Sequence, residues 1–250
     1  MSGRVMVIGL GPGPARQVTP EASALLAEAT DIVGYAPYVA RVPASPARRH
    51  ASDNRVELDR ARHALSLAAE GAKVAVVSGG DPGVFAMASA VFEAVEGGEE
   101  AWRDLDIVVV PGITAVLAAA ARIGAPLGHD FCVVSLSDNL KPWSIIEARL
   151  SAAAAGDFVI ALYNPASKAR PEQIGKAFAQ LLREAGERVV VLAKAVGRPD
   201  EEIVYTSLST VEPADVDMRT LVLIGSSQTR LIERENREPW VYTPRSRAEG

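Results

Sequence analysis

Three short apolar runs in the first half of the chain each end in a glycine-rich loop, and this repeat restricts the possible folds strongly. The runs are Arg4–Gly9, Lys73–Ser78 and Asp106–Val110, and all three are rich in β-branched residues. Continuous apolar runs of this length are typical of strands that are buried on both faces of a parallel sheet. We therefore expect an α/β protein with glycine loops at the carboxyl ends of its strands, where ligands bind in such sheets.

The segments between and after these runs predict two α/β lobes, residues 1–112 and residues 113–250. In the first lobe, helical patterns alternate with strands and favour a mostly parallel sheet. In the second, two late strand-like runs lack a long helix between them, which favours a mixed sheet with flanking helices. The polar, charged tail after Arg230 is expected to be poorly ordered or packed on a partner.

Composition argues against several functional classes. The net charge is −5, from 26 Lys and Arg against 31 Asp and Glu, whereas nonspecific nucleic-acid binding needs a basic surface. The apolar stretches are too short to span a bilayer, and no signal segment precedes the first strand, so we expect a cytoplasmic protein with no membrane partner. A single cysteine, Cys132, and three histidines far apart in sequence predict no metal site.

Each glycine loop has both a functional and a purely structural interpretation. The loop at 9–13 lacks the third glycine of a dinucleotide fingerprint, and its prolines supply no N–H donors for a pyrophosphate. In the loop at 78–83, Asp81 has the chemistry to accept hydrogen bonds from a ligand, although an Asp-Pro-Gly turn before a helix is the plainer alternative. Thr114, in the loop at 111–115, is a candidate helix N-cap.

Two polar stretches in the second half are further candidates. Residues 161–170 form a buried strand that runs into a polar, basic loop, suited to holding carboxylates or simply a solvated turn. Residues 135–138 place serines and Asp138 at another strand end, without the glycine-serine-glycine elbow of hydrolases. His129 and Asp130 are a lone pair, which is more often structural than catalytic.

The order of several motifs along the chain resembles the tetrapyrrole methylases. The motifs are GLGPGP, SGGDPGVFAMA, VVPGITAVLAAAARIGAPLGHDF, SLSDNLKPWSIIEARL, FVIALYNPASKAR and VDMRTLVLIGSSQTR. They extend from about Arg4 to Arg230. The stretches GAPLGHDF, SLSDNLKPW, IALYNPASKAR and GSSQTR are similar to the branch of the family that methylates C17 of precorrin-3B and contracts the macrocycle.

This resemblance implies a two-lobed homodimer that binds S-adenosyl-L-methionine in the cleft between the lobes and a small tetrapyrrole as substrate. Carried over position by position, the methyl donor would contact Pro12, Gly79, Gly80, Asp81, Val84, Thr114, Ala115, Asn164, Gly197 and Thr220.

Side-chain chemistry supplies the remaining candidates. Ring contraction requires proton transfer, for which we consider Asp138, Tyr163 and His129. A substrate with many carboxylates needs local cations in a net acidic protein. The proposed substrate contacts are Ser137, Lys168, Arg170 and Arg198, with Arg48 and Arg49 as further candidates.

Four other functions are consistent with the same motifs. The first is C17 methylation of a cobalt-loaded substrate, and the second is methylation of another tetrapyrrole carbon. The third is modification of a macromolecule by a member of the same superfamily, which the acidic balance makes less favourable for RNA. The fourth is a donor-binding module without turnover.

Overall fold

The computed structural model describes residues 3–166 and 170–246. The chain forms two compact units, the first ending at Thr114 and the second beginning at Ala115. The division therefore follows Thr114, whereas the sequence pattern placed it after Gly112. Within the described residues, no helix has the length and apolar character needed to cross a membrane.

The first unit contains a five-stranded sheet in which every strand pair is parallel. Its strands are β1 (Arg4–Gly9), β2 (Asp31–Tyr35), β3 (Arg48–Ser52), β4 (Lys73–Ser78) and β5 (Asp106–Val110), in the spatial order β3-β2-β4-β1-β5. Its helices are α1 (Pro20–Glu28), α2 (Ala36–Val39), α3 (Glu57–Ala69) and α4 (Met87–Glu96), with 3-10 turns at Ala15–Gln17 and Glu100–Asp104. The predicted parallel sheet is confirmed.

The two faces of β1 and β4 pack into separate hydrophobic clusters. Val5 and Val76 point to the side covered by α3 and α4, while Met6 and Val77 point to the side covered by α1. Successive residues of a strand face opposite sides of the sheet. A strand covered on both sides must therefore be apolar throughout, which explains the continuous runs in the sequence.

The polar strand β3 has no apolar pattern, and it is an edge strand paired only with β2. Arg48 forms an ion pair with the fully buried Asp31 at 2.9 Å. Arg49 donates hydrogen bonds to the carbonyl oxygens of Val39, Val42 and Pro43. Both arginines therefore hold the fold of the first unit, which argues against the substrate contacts considered for them above.

The second unit contains a mixed five-stranded sheet in the order β10-β9-β11-β8-β7. Its elements are α5 (Ala115–Ile123), β6 (Gly124–Ala125), β7 (Phe131–Ser135), α6 (Trp143–Ala155), β8 (Val159–Tyr163), α7 (Gln173–Ala185), β9 (Val189–Lys194), β10 (Glu202–Ser207) and β11 (Thr220–Ile224). The β7–β8 pair is parallel, and the pairs β8–β11, β11–β9 and β9–β10 are antiparallel. The mixed sheet expected from the sequence is confirmed.

The tail after Arg230 differs from the sequence-based expectation. It forms a hairpin of β12 (Arg230–Arg234) and β13 (Arg237–Tyr242), and β13 pairs in parallel with β6. Asn236 in the turn has φ 57°, a left-handed conformation that asparagine tolerates. Val241 is buried, so the hairpin is part of the folded unit. For Arg230–Tyr242 the expectation of poor order was therefore wrong, because most of these residues are exposed and the two strands lack an apolar pattern in the sequence. Packing of the tail on a partner stays a prediction.

Asp31 provides a test of the packing at the start of β2. Burial opposes its ionisation, but hydrogen bonds from Arg48, His50 and Thr30 hold the pKa of its carboxyl below the ordinary value. A depressed pKa gives stability that is present above the unfolded pKa of about 4 and is lost as pH falls through the folded pKa.

We therefore expect Asp31→Asn to lower the free energy of unfolding at pH 7 by about 2 kcal/mol. The difference from the parent protein should shrink as pH falls below about 4. Urea unfolding followed by circular dichroism at several pH values measures both effects. Asp106→Asn removes the exposed partner of Arg4 and should cost less than about 0.5 kcal/mol. Equal losses for the two variants would contradict the role assigned to Asp31.

Candidate functional site

The three glycine loops of the first unit meet where the adjacent strands β4, β1 and β5 end. The N–H of Leu10 donates to the carbonyl of Ser78 at 2.9 Å. Gly11 and Gly80 then exchange two backbone hydrogen bonds, at 3.1 and 2.9 Å. The loops after β1 and β4 are thus joined through main-chain atoms, and we call this contact, together with Gly9 and Gly112, the glycine junction.

Side chains have no room in the glycine junction. A Cβ on Gly9 would lie 2.7 Å from the nitrogen of Gly112 and 2.7 Å from the oxygen of Gly80. A Cβ on Gly112 would overlap the carbonyl oxygen of Gly80. Gly11 and Gly80 also have positive φ angles, of 64° and 67°, which glycine adopts without steric cost. Backbone contact therefore requires glycine at Gly9 and Gly112, and the positive φ angle favours glycine at Gly11 and Gly80.

Asp81 links the second loop to the third. Its Oδ1 accepts a hydrogen bond from the N–H of Gly83 at 2.7 Å, and its Oδ2 accepts one from the N–H of Gly112 at 3.0 Å. Both carboxylate oxygens thus hold the loops in place, a role the sequence did not predict. A carboxylate oxygen has more than one lone pair, so each oxygen retains capacity to accept from a ligand.

Two residues that the sequence did not single out hold these loops from the side of α2. The Nη2 of Arg41 donates to the carbonyl oxygens of Leu10 and Gly11 at 2.7 and 2.9 Å, and to that of Gly13 at 3.3 Å. The ring of Tyr38 lies against Gly79, where a Cβ would come within 2.7 Å of it. Arg41 follows a helix of one turn and belongs to no repeating pattern or motif. The sequence alone therefore did not indicate its contacts with the loop carbonyls.

The loop after β4 continues through Val84 into a strained residue. Phe85 has φ 52° and its side chain is 50 % exposed. The left-handed conformation is unfavourable for a bulky residue, and such strain is often found at functional sites. Pro12, Val84 and Thr114 are partly exposed around the same loops. The carboxyl edge of the first sheet therefore offers a rigid, backbone-rich surface to a ligand.

The second unit gathers most of its predicted residues at one edge of its sheet. The carboxyl ends of β7, β8 and β9 lie at this edge together with the start of β11, because β11 runs antiparallel to its neighbours. The predicted residues at this edge are Ser137, Asp138, Tyr163, Asn164, Gly197, Arg198 and Thr220.

His129 is not brought together with these residues. It precedes β7, whereas Ser137 and Asp138 follow it, and five residues of strand span roughly 16 Å. The segment around His129 packs instead beside the hairpin, since a Cβ on Gly128 would meet the carbonyl oxygen of Thr243. The geometry of the second unit therefore gives no support to joint proton transfer by His129, Asp138 and Tyr163.

Tyr163 and Asn164 have local hydrogen bonds at the end of β8. The hydroxyl oxygen of Tyr163 accepts from the N–H of Val116 at 2.9 Å, which fixes the first turn of α5 after Ala115. Asn164 has φ 51° and its Nδ2 donates to Ser135 Oγ at 3.0 Å. These contacts position the strand ends of β7 and β8 relative to α5.

Gly197 and Thr220 are also held by neighbouring side chains. The N–H of Gly197 donates to Glu201 at 2.5 Å, and its φ of 80° favours glycine. The hydroxyl of Thr220 donates to the carboxylate of Asp217 at 3.1 Å. Arg198 is exposed beside them. This part of the edge is polar, and Arg198 is one of its exposed cations.

Arg170 does not have the accessible position predicted for a substrate contact. It is 8 % exposed, its Nη1 donates to the carbonyl of Leu136 at 3.4 Å, and its Nε lies 3.6 Å from Asp138 Oδ1. Gln173 donates to the other carboxylate oxygen of Asp138 at 3.0 Å. Arg170 is thus used to position the loop after β7 and Asp138. Lys168 lies outside the described residues.

Two of the motifs that resemble the C17 branch lie at the opposite edge of the second sheet. In GSSQTR, the backbone and hydroxyl of Ser227 both donate to Asp157, before β8. The hydroxyls of Thr229 and Thr243 are 2.8 Å apart, and Thr243 donates to the carbonyl of Pro126 in GAPLGHDF. These two stretches fasten the hairpin to the sheet.

The part of the chain that the structure describes contains no candidate metal centre. No group of three or more His, Cys, Asp or Glu residues there is arranged to hold a metal ion.

The cysteine is not suited to act as a nucleophile either. Burial raises the pKa of the Cys132 thiol, which lowers its nucleophilicity near neutral pH.

Comparison with known proteins gives a consistent family assignment. The model of the tetrapyrrole (corrin/porphyrin) methylases matches residues 4–212. A precorrin-3B C(17)-methyltransferase of Sinorhizobium sp is 54 % identical over 248 residues, which cover 98 % of this chain and 97 % of that protein.

Solved structures show the same similarity. The methyltransferase CobJ aligns with a TM-score of 0.91 at 56 % identity and covers 97 % of this chain and 100 % of its own. Uroporphyrin-III C-methyltransferase from Thermus thermophilus, in complex with S-adenosylhomocysteine, aligns with a TM-score of 0.67 at 23 % identity, over 89 % of this chain and 97 % of its own. The more distant structure shows the fold alone.

Adding one methyl group to a glycine of the glycine junction tests whether side chains are sterically excluded there. Gly112→Ala should lower the free energy of unfolding by about 2 kcal/mol, because the added Cβ forces the strand ends of β1, β4 and β5 apart. Gly97→Ala is the matched control, since its Cβ would lie at an ordinary 3.5 Å from the carbonyl of Glu93. Urea unfolding measures both. A loss for Gly97→Ala as large as that for Gly112→Ala would contradict the steric argument.

Proposed function

Because the chain belongs to the tetrapyrrole methylase family, we propose that it methylates C17 of precorrin-3B with S-adenosyl-L-methionine and contracts the macrocycle to give precorrin-4 in cobalamin biosynthesis. The main support is the 54 % identity to a precorrin-3B C(17)-methyltransferase over 98 % of this chain and 97 % of that protein. The family consists of S-adenosylmethionine-dependent methyltransferases. The chain is therefore a methyltransferase, and the proposal concerns its substrate and its site.

The carboxyl edge of the first sheet suits the methyl donor. S-adenosyl-L-methionine supplies an electrophilic methyl group on a sulfonium sulfur. The glycine loops expose backbone without side chains in the way, and Asp81 retains acceptor capacity for a hydroxyl or an amine. We assign Pro12, Gly79, Gly80, Asp81, Val84 and Thr114 to the donor site. The second-unit positions Ala115, Asn164, Gly197 and Thr220 stay in the proposal as further donor contacts.

The reaction needs alignment more than acid–base chemistry in its first step. An electron-rich ring carbon attacks the methyl group in line with the departing sulfur and needs no strong base. A rigid site that fixes this geometry and excludes water supplies most of the rate enhancement. The glycine junction and the contacts of Arg41 and Asp81 give the first unit that rigidity.

Ring contraction requires a proton acceptor, and Asp138 is the candidate that its surroundings favour. Arg170 and Gln173 contact its two oxygens, which stabilises the carboxylate in one orientation. It would accept a hydroxyl proton from the substrate. Tyr163 is retained as a second candidate at the same edge. Ser137 and Arg198 are proposed to contact the substrate's polar groups.

The rest of the assignment follows from the same substrate. We propose a cytoplasmic homodimer that acts on a small tetrapyrrole and binds neither nucleic acid nor membrane, consistent with the net charge of −5. The alternative substrate is the cobalt-loaded counterpart of precorrin-3B, which presents the same C17 position.

Turnover decides between these substrates. Incubation with S-adenosyl-L-methionine and metal-free precorrin-3B should add one methyl group by mass spectrometry and contract the ring. We expect kcat/KM on this substrate to exceed that on the cobalt-loaded form by about tenfold or more.

Further measurements test the remaining alternatives. Labelled methyl groups should not appear in RNA retained on a filter. If calorimetry detects no binding of S-adenosylhomocysteine to the folded protein, the proposal fails. Methylation of the cobalt-loaded form alone would assign the chain to the other branch.

Arg41 gives a prediction specific to the donor site. Arg41→Gln removes a charged donor from the loop carbonyls and should weaken S-adenosylhomocysteine binding about tenfold. Calorimetry measures this affinity, and urea unfolding shows whether the variant is folded. Arg103→Gln is the control, since Arg103 donates to the carbonyl of Glu96 on the surface of the same unit and, among the described residues, does not contact the glycine loops. An unchanged affinity in folded Arg41→Gln would exclude the assigned role.

A further inference from the structure

We infer that the tip of the loop between β7 and α6, Leu140 and Lys141, binds the substrate directly: Leu140 packs on the face of the macrocycle and Lys141 pairs with a peripheral carboxylate. This inference rests on the proposed function. Both residues lie in the stretch SLSDNLKPW, but neither is among the candidate site residues named above. The observations that support it are the bracing of the loop, the exposure of Leu140 and the charge around Lys141.

The loop is fixed at several points. The N–H of Leu136 donates to the carbonyl of Tyr163 at 2.9 Å, and the carbonyl of Leu136 accepts from Arg170. Asp138 is held by Arg170 and Gln173, and the ammonium of Lys141 donates to the carbonyl of Ser137 at 3.1 Å. The turn that presents Leu140 is therefore braced on both sides.

Leu140 is 97 % exposed, the highest exposure of any large apolar side chain among the described residues. Neighbouring residues of the loop are polar, so this leucine has no packing role in the second unit. Burying such a side chain against an apolar surface yields about 1.5–3 kcal/mol. A braced turn that presents a bare leucine beside a candidate site is suited to contact the flat, apolar face of a ligand.

Lys141 adds a cation next to this apolar side chain. In the described ranges its ammonium has no carboxylate within ion-pair distance, and it donates instead to the carbonyl of Ser137. Burial, Arg149 and Arg170 lower the pKa of Lys141, and Asp138 opposes them. The charges of Arg149 and Arg170 thus act against the Lys141 ammonium, and the carboxylate of Asp138 acts in its favour. The two remaining N–H donors of Lys141 are suited to an anionic group.

The adjacent pair matches the chemistry of a precorrin. Such a substrate has an apolar macrocycle whose rim carries carboxylates, so an apolar contact and a cation must lie side by side. Arg170, by contrast, is a positioning residue that acts through Asp138 and the carbonyl of Leu136. Lys141 thereby replaces Arg170 as the carboxylate contact expected at this end of the sheet.

Two variants separate the two contacts. Lys141→Gln should raise KM for precorrin-3B about tenfold and reduce the salt dependence of KM, because an ion pair is lost. Leu140→Ser should raise KM about fivefold and leave the salt dependence unchanged. Both should retain kcat within about twofold and parent affinity for S-adenosylhomocysteine. The Kd for precorrin-3B, from titration of its visible absorbance, should change in parallel with KM.

Matched controls lie on α7 of the same unit. Lys176→Gln removes a lysine paired with Glu172, and Leu182→Ser removes an exposed leucine. Neither should change KM or Kd. If Lys141→Gln and Leu140→Ser bind precorrin-3B as the parent does, or no more weakly than the controls, the inference is wrong. Absence of turnover by the parent protein is a separate result that contradicts the proposed function, and the Kd comparison still tests the loop.

Discussion

Backbone-to-backbone contact between loop ends is the constraint on which the candidate donor site depends. Parallel strands bring their carboxyl ends to one edge, but they do not by themselves bring the following loops into van der Waals contact. Gly9 and Gly112 allow that contact because neither has a Cβ to displace the carbonyl of Gly80. Asp81 then accepts a hydrogen bond from the N–H of Gly112, and Arg41 donates one to the carbonyl of Gly11. The result is a surface whose shape is set by main chain.

In the second unit, the edge of the sheet that carries the candidate residues is formed by polar and charged side chains. This edge carries carboxylates, arginines, lysines and hydroxyls, and the side chains described above have a defined neighbour or a defined exposure. Arg170 is buried and orients Asp138, whereas Lys141 is partly exposed on the loop that carries Asp138, so the two cations have separate tasks. In a protein with excess negative charge, such local placement decides where an anionic substrate is held.

Much of the fold could be predicted because its buried strands are continuous apolar runs that end in glycine-rich loops. The parallel sheet followed from β1, β4 and β5, and the mixed sheet from the absence of a helix between β10 and β11. The polar edge strand β3 and the hairpin at Arg230–Tyr242 were not predicted, because most of their residues are exposed and their sequences therefore show no buried apolar pattern.

The candidate site was predictable only in part. Glycine loops and polar strand ends marked the two sheet edges, and motif order indicated the family. The contacts of Arg41 and the burial of Arg170 depend on distances between segments far apart in sequence, which no local pattern records. The same limit applies to His129, whose chemistry suggested a role that the direction of β7 does not support.

The pairing of β6 with β13 also affects how the protein is made. The strands of the first unit all lie before Thr114, so that unit can fold as soon as this part of the chain has left the ribosome. In the second unit, Gly124 pairs with Val241, and contacts of such long sequence separation form slowly. Its last sheet is completed only when translation has passed residue 242. The two halves of the enzyme should therefore mature at different times on the ribosome, with the glycine loops in place first.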